Sequence, residues 1–574
     1  MRASGLDWLW LLACCALSAA WCVTAAAQIG PTFDEPFYLR AGLEHWRTGS
    51  DRALMQAGTM PLPIDVETLP LALWERCRGV TLDPVGDIDR LLPWARLGNL
   101  LFWWLLLVYG WRIGRDLAGP WGGRLAAALL AGEPNLLAHA ALATTDVAVT
   151  ACLLALLYQF RLGRGLGWRW RVGVPALWYA AAVLAKASGL IWGPLGLVAL
   201  ELERLLRAGA LTPGHPAGLR ERLAHAWQAL RPLRRDGAAV VALGLALMFV
   251  YCGSDWQAEP SFVAWAGGLP DGRGRTVILW VAEHLRVFSN AGEGLARQVG
   301  HNLRGHGVYV LGRWEPRAVW YYFPVALSIK LPLATLLGAA LLVVARPRAL
   351  ANWVGAVALA YLLFTLNCRV QIGIRLVLPL VALATVAVAA GLARWAREAA
   401  PGRRRLVTAG AAAAALWMAG GSVAVWPNGL GHANELWGGP ANCYRHLSDS
   451  NSDWGQGLRE LVRWEERHAR PPLSVWYYGT DPAIVRMRYE LMSRLPLAGP
   501  QDVECYLAGR YLAVSTTLFN GINGLTPRDR LVLDYLHARR PADRTTTFLI
   551  YDFTGGATTQ AAAVTPRPAS PAAP

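Results

Sequence analysis

Two carboxylates stand side by side in the segment PTFDEPFYLRAG, Asp34 and Glu35, directly after a long apolar run. Pro31 and Pro36 stiffen the backbone on either side of them. A carboxylate so placed is suited to act as general base toward a hydroxyl or to hold a divalent ion. An ordinary polar loop start has the same spacing. A second polar island, EPNLLAHAALATTD over 133–146, carries Glu133, Asn135, His139, Thr144, Thr145 and Asp146 between two apolar runs. Thr and Asp at the start of the next run are good helix caps. The alternative is that Asp146 is a second catalytic acid facing Asp34 across a cavity, with His139 as a substrate contact.

The cations narrow the chemistry. The chain has 53 Arg and two Lys, Lys186 in LAKASG and Lys330 in ALSIKLPLA. A surface cation is indifferent to that choice, whereas a site distinguishes a compact ammonium from a planar fork. Both lysines sit at the ends of apolar runs, where contact with a phosphate or carboxylate competes with simple snorkelling. Arg375 in QIGIRLVLP stands just inside another apolar run and needs an anionic partner, for which a lipid phosphate is suitable. His306 and Tyr322, in GHGVYVLGRWEPRAVWYYFP, are candidate substrate contacts within a segment whose aromatics otherwise suit an interfacial belt. In DSNSDWGQG, 449–457, Asp449, Asn451, Asp453 and Gln456 have the groups to bind sugar or calcium. They lack the spacing of an EF-hand loop, and capping of the next helix is the simpler expectation.

The elements that must position these residues follow from composition. Of 574 residues, 54% are hydrophobic and only 16% charged, below the quarter or so usual in soluble domains. A single soluble domain, a disordered chain and a disulfide-stapled module are excluded. A spanning helix needs about 20 mostly apolar residues. Eleven runs qualify, near 8–27, 97–113, 124–138, 145–160, 172–186, 188–203, 237–252, 319–345, 349–367, 373–393 and 406–426. The net charge of +16 is no sign of nucleic acid, because the arginines cluster in alternate loops between these runs. The opposite loop, 28–96, has seven Arg against ten Asp and Glu. The pattern predicts a multi-pass protein of the plasma (inner) membrane with a cytoplasmic N-terminus and an extracytoplasmic C-terminus. Ala25-Ala26-Ala27 resembles a signal-peptidase site, but the run before it is long, and an uncleaved first helix is expected.

The expected organisation is a transmembrane domain over 1–426 with outer loops 28–96 and 253–318, a small α/β domain over 427–553, and a disordered tail over 554–574. Residues 276–299 have the pattern of an amphipathic surface helix. Strands are expected at 473–479, 510–516 and 545–553, and helices at 454–468 and 527–539. Cys443 and Cys505 could pair in an oxidising compartment or remain free.

At these residues the chain resembles a family. FDEPFYLRAG is similar to the acidic first-loop motif of membrane glycosyltransferases with the GT-C fold. The nearest group is the protein O-mannosyltransferase-like family, glycosyltransferase family 39, with the aminoarabinose transferases as relatives. PNLLAHAALATTD, LAKASG, GHGVYVLG, WYYFPVALSIKLPL, IGIRLVLP and DSNSDWGQGL resemble its later segments in the same order. The resemblance implies an enzyme that moves a sugar, a hexose, from a polyprenyl-phosphate donor to a hydroxyl of a protein, lipid or glycan, with inversion. It places Asp34 as catalytic base, Glu35 as its neighbour, Asp146 as second acid, and Lys186, Lys330 and Arg375 near the donor phosphate. Many members carry a His or Lys before a Pro-Pro pair in the first loop. Here MPLPIDVETLP has neither, so no metal ligand carries over and a divalent cofactor remains open. A transporter or flippase of lipid-linked sugars is the alternative.

Overall fold

Every apolar run read from the sequence is helical, but the helices differ widely in length and in how they break. The computed structural model describes residues 4–211, 218–254, 256–258, 260–284, 286, 289–495, 500–522 and 525–555. Among them, six helices are long and apolar enough to cross a membrane, or up to seven if one bent pair is a single span. The tail predicted over 554–574 falls, from residue 556 on, outside the described residues.

The chain opens with α1 (Gly5–Ala26). The stretch 28–96 is no open loop: it folds into α2 (Glu35–Thr48), α3 (Arg52–Gln56), α4 (Leu62–Arg78) and the first turns of α5 (Ile88–Ala131). The run 97–113 and the first part of the run 124–138 lie on α5, one on each side of a break at Gly119, and the second run continues beyond the helix end. Then come α6 (Pro134–Ala140), α7 (Thr145–Gly163), α8 (Val174–Ala185) and α9 (Gly189–Arg207). They are followed by α10 (Leu219–Ala229), α11 (Arg231–Cys252), α12 (Pro260–Gly267), α13 (Arg273–His284) and α14 (Ser289–Arg304). The amphipathic stretch over 276–299 is thus shared by α13 and α14, and residues 285 and 287–288 between them are outside the description.

A short antiparallel hairpin, β1 (Val308–Val310) and β2 (Arg313–Glu315), leads to α15 (Tyr322–Lys330) and α16 (Leu333–Ala345). The run 319–345 looks like one span in the sequence, yet α15 and α16 are bent by 112°. Pro332 is the cause: it disfavours helical geometry at the preceding Leu331, which is extended. The membrane part ends with α17 (Pro347–Leu350), α18 (Trp353–Thr365), α19 (Leu378–Glu398) and α20 (Pro401–Ala424). α5 and α19 form the central packed pair, with α1, α4 and α7 also against α5.

Beyond α21 (Cys443–His446) and α22 (Leu458–Arg467), a mixed five-stranded sheet forms the C-terminal α/β unit. Its strands are β3 (Leu473–Trp476), β4 (Glu490–Leu491), β5 (Tyr511–Ser515), β6 (Asp543–Arg544) and β7 (Phe548–Asp552), in the order β4-β3-β5-β7-β6. The three apolar runs expected as strands are β3, β5 and β7, and the two edge strands are too short to show in the sequence. Helices α23 (Pro500–Leu507), α24 (Thr516–Phe519) and α25 (Pro527–His537) complete the unit. Cys443 is buried and Cys505 exposed, and neither is in a disulfide.

One buried ion pair joins the ends of α1, α2, α5 and α6. Arg96 on α5 grips Glu35 with two charge-assisted bonds, Nε to Oε1 at 2.8 Å and Nη2 to Oε2 at 2.6 Å. The same guanidinium donates to the carbonyls of Ala26, Ile29 and Gly30 where the chain leaves α1. Glu35 also accepts from the backbone N–H groups of Thr32 and Ala143, each at 2.8 Å. One turn along α5, Asn99 donates to the carbonyls of His139, Ala140 and Leu142 and so holds the end of α6. Replacing Arg96 with Met is expected to leave Glu35 buried without its partner. The cost should be about 3–5 kcal/mol, read as a lower thermal unfolding midpoint in detergent. Arg394→Met, at the exposed pair with Glu398, should stay within about 1 kcal/mol of the parent.

Candidate active site

The chain segments fixed by Arg96 and Asn99 carry the two acids that the sequence singled out. Asp34 precedes the first turn of α2, where its side chain makes no capping bond and keeps 28% of its surface exposed. Asp146 lies in the first turn of α7 and is fully buried. The structure brings them to one guanidinium. Arg375 Nη1 lies 3.5 Å from Asp34 Oδ2 and 3.9 Å from Asp146 Oδ2. Asp146 Oδ1 is paired with Lys186 Nζ, at the extended residue that ends α8. Two carboxylates and two cations therefore close a neutral cluster at the ends of α2, α7, α8 and α19.

Arg375 is set in place by the C-terminal unit. It stands on a 3₁₀ turn, Ile374–Val377, preceded by Gly373 at φ 143°. A Cβ at Gly373 would fall 2.1 Å from Ser450 Oγ, so only glycine allows this close approach. Asn451 Oδ1 accepts from the Ile374 N–H at 3.0 Å. Arg375 Nε donates to Ser450 Oγ at 3.1 Å, and its guanidinium lies 4.0 Å from the centre of the Trp454 ring. A planar cation stacked on indole is a geometry that lysine cannot copy.

Burial pushes the Asp34 carboxyl above its usual range, an effect that the Arg375 charge opposes. Asp449, which shares the field of Arg375, is pushed up to about 6, again chiefly by burial. Glu67 on α4 is a third acid that sequence reasoning missed. It is 1% exposed, it feels Glu35 and Asp146, and burial raises its carboxyl well above the usual range. It stands in the stretch 28–96 that the sequence reads as an outer loop, where a Glu is expected at the surface. Tyr38, one turn after Asp34, is also buried within the field of Asp34, Arg375 and Asp146.

Other predicted site residues have different places. Glu35, expected beside the catalytic base, is wholly engaged by Arg96, Thr32 and Ala143 and takes no part in the exposed face. Lys330, expected near a phosphate, is 1% exposed and donates to the carbonyls of Leu430 at 2.7 Å and Asn451 at 2.6 Å. Tyr322 is buried and accepts from Asn451 Nδ2 at 2.9 Å. His139 is buried behind the Trp454 ring, 6.3 Å between centres. His306 pairs with His301 at 3.1 Å between their Nε2 atoms, on the segment before α15.

The capping expectations also change. Thr144 stands at the N-cap of α7 without a side-chain capping bond, whereas Glu133 caps α6 through the Leu136 N–H at 2.6 Å. Gly457, not an acidic residue, begins α22. Asp453 accepts from the N–H groups of Gly455 and Thr517, and Gln456 bonds Asn428 and the Trp454 N–H. The polar run 449–457 is therefore the seam between the sheet unit and the helices.

No family model matches the chain, and no curated protein does. Among solved structures it is similar to ArnT from Cupriavidus metallidurans bound to undecaprenyl phosphate. That likeness has 14% identity, covers 95% of this chain and 98% of that chain, and has a TM-score of 0.46. ArnT from the same organism in the apo state gives 15% identity, 94% and 97% coverage, and a TM-score of 0.28.

Because Lys330 holds two carbonyls of the seam, Lys330→Met is expected to loosen the sheet unit. Limited trypsin digestion should cut faster at Arg445 and Arg459, and the unfolding midpoint should fall. An unchanged digestion pattern would return Lys330 to the list of ligand contacts.

Proposed function

We propose that this protein is a membrane glycosyltransferase that moves a hexose from a polyprenyl-phosphate donor to an acceptor hydroxyl of a protein, lipid or glycan, with inversion. The observation that carries this reading is the neutral cluster in which Arg375 bridges Asp34 and Asp146 while Lys186 holds Asp146. Asp34 is the one member with a partly exposed carboxylate, and its bond to Arg375 is long. It can turn to an acceptor hydroxyl and take its proton as the new bond to the sugar's anomeric carbon forms. The bond from that carbon to the phosphate oxygen breaks, and its electron pair leaves with the phosphate. Arg375 and Lys186 supply the fixed positive charge that stabilises the leaving group. A raised carboxyl pKa suits this role, since a base works best when its pKa approaches the working pH.

The proposed setting is the plasma (inner) membrane, with eleven crossings over 1–426, a cytoplasmic N-terminus, and the sheet unit of 427–553 on the extracytoplasmic side. A donor with a polyprenyl tail then enters from the bilayer, and a polar acceptor from water.

One observation favours a second reading. The 112° bend between α15 and α16 is the kind of broken span that transporters place at a binding site. Lys330 at that bend is already bonded to protein carbonyls, which weakens the case for a transported substrate there.

The test uses purified protein in lipid, radiolabelled polyprenyl-phosphate hexoses of two kinds, and an envelope extract as acceptor. Wild type should release labelled sugar from the lipid phosphate, and Asp34→Asn should lose about 10²–10⁴ of that rate. Transfer should fall as pH drops through the raised Asp34 pKa, because the base must be ionised. The loss should therefore begin at a higher pH than for an exposed aspartate. Labelled lipid that crosses the bilayer without releasing sugar would replace the transferase with a flippase.

A further inference from the structure

A second cluster of ionisable groups lies further along α2, away from the acids described above. His45 is in the last turns of α2, eleven residues beyond Asp34 and so about 16 Å further along the helix axis. The helix ends at Gly49, whose φ of 76° lets the chain reverse. Two residues later Asp51 stands at the N-cap of α3, yet its side chain makes no capping bond. It turns back instead to His45, with Nδ1 and Oδ1 2.8 Å apart. Asp65, in the first turn of α4, lies against the same ring, its Oδ1 3.9 Å from His45 Nε2. Its Oδ2 accepts from the Tyr251 hydroxyl at the end of α11, at 2.8 Å.

The carboxylates are deeply buried, Asp51 at 4% and Asp65 at 2% exposure. Asp65 Oδ1 has no hydrogen-bond partner and points into the cluster. The only ion pairs of either aspartate among the described residues are those with His45. Even a protonated imidazole would leave one negative charge uncompensated in a buried site, which is costly. The cluster has one positive charge too few for the groups it holds.

One imidazole and two carboxylates form a mixed N/O ligand set whose atoms lie within 4.8 Å of one another. Such a set suits a borderline first-row dication. A single zinc bonded at about 2.1 Å to one ring nitrogen and one oxygen of each carboxylate would set these atoms about 3.4 Å apart, a small adjustment of the present positions. His45 lies on the rim, 20% exposed, and leaves a route for water as a further ligand. We propose that His45, Asp51 and Asp65 bind one divalent metal ion, of the Zn²⁺ class, that clamps α2, α3 and α4 together beside the end of α11. The metal replaces the proton on His45, so two carboxylates and a dication close to zero charge. Its role is structural: it fixes the far end of the helix whose near end carries Asp34.

The test uses the full chain in detergent, stripped with EDTA and dialysed against Zn²⁺, with metal counted by elemental mass spectrometry. Wild type should retain about one zinc per chain and melt at a higher temperature than the stripped protein. His45→Gln and Asp65→Asn should each weaken retention by at least about tenfold, while Glu44→Gln, exposed on α2, should retain it. Should Asp65→Asn fail to fold, His45→Gln on the rim still decides. Absorption spectroscopy of the zinc-loaded wild type should show nitrogen and oxygen ligands. Wild type without stoichiometric zinc, equal retention in all three variants, or a sulfur-dominated spectrum would each overturn the proposal.

Discussion

The buried pair of Arg96 and Glu35 is the constraint on which the rest of the site depends. Removing two full charges from water is expensive, and such a pair is tolerated only when nearly every donor and acceptor is satisfied. Here that condition is met by backbone. Arg96 takes up the carbonyls at the end of α1, and Glu35 takes up the N–H groups of Thr32 and Ala143. A single side-chain pair thus locks the chain leaving α1, the start of α2 and the link between α6 and α7. Asp34 and Asp146 stand one and three residues from these anchors. Their relative position is therefore set by Arg96, which touches neither.

The dipeptide Asp34-Glu35 divides two tasks that chemistry cannot give to one side chain. Successive residues at a helix start point in directions about 100° apart. Glu35 points inward and is fully bonded, which makes it rigid and removes it from reaction. Asp34 keeps part of its side chain exposed and, among the described residues, its carboxylate meets only the long contact with Arg375, which leaves it free to exchange partners. Adjacent acids are common in loops, and only the burial of one gives the other its fixed place.

Much of this was legible in the sequence, and the exceptions have physical causes. Apolar length and charge placed the long apolar helices but not α2, α3 and α4, which were read as an outer loop, and alternation placed β3, β5 and β7. The bend at Leu331 was within reach, since Pro332 stands in the middle of the run, but hydropathy averages across it. Asp34, Asp146, Lys186 and Arg375 were identified as charged residues at the ends of apolar runs, and the structure brings them together. The two lysines were indistinguishable from composition, because what separates them is the partner. Lys186 faces a carboxylate, whereas Lys330 faces two carbonyls 100 and 121 residues away in sequence. Arg96 and Glu67 gave no signal at all. Both stand in the stretch 28–96 that the sequence reads as an outer loop, where charged residues are expected at the surface, and only tertiary packing buries them.

The C-terminal unit is part of the site's construction, not an appendage to it. Arg375 would be free to collapse onto both aspartates if nothing else held it. Ser450 fixes its Nε, and the indole of Trp454 supports its planar face, so its Nη1 stays directed toward the two acids. Asn451 fixes the backbone of the same turn and is itself held by Lys330 and Tyr322. Further contacts, from Gln456 to Gly30 and from Thr480 to Phe33, tie the segment around Asp34 to this seam. In the proposed transferase, a cation that stabilises the leaving phosphate gains from being aimed in advance. In this protein the aim is supplied by residues 450–454, which lie about seventy-five positions beyond the arginine they hold.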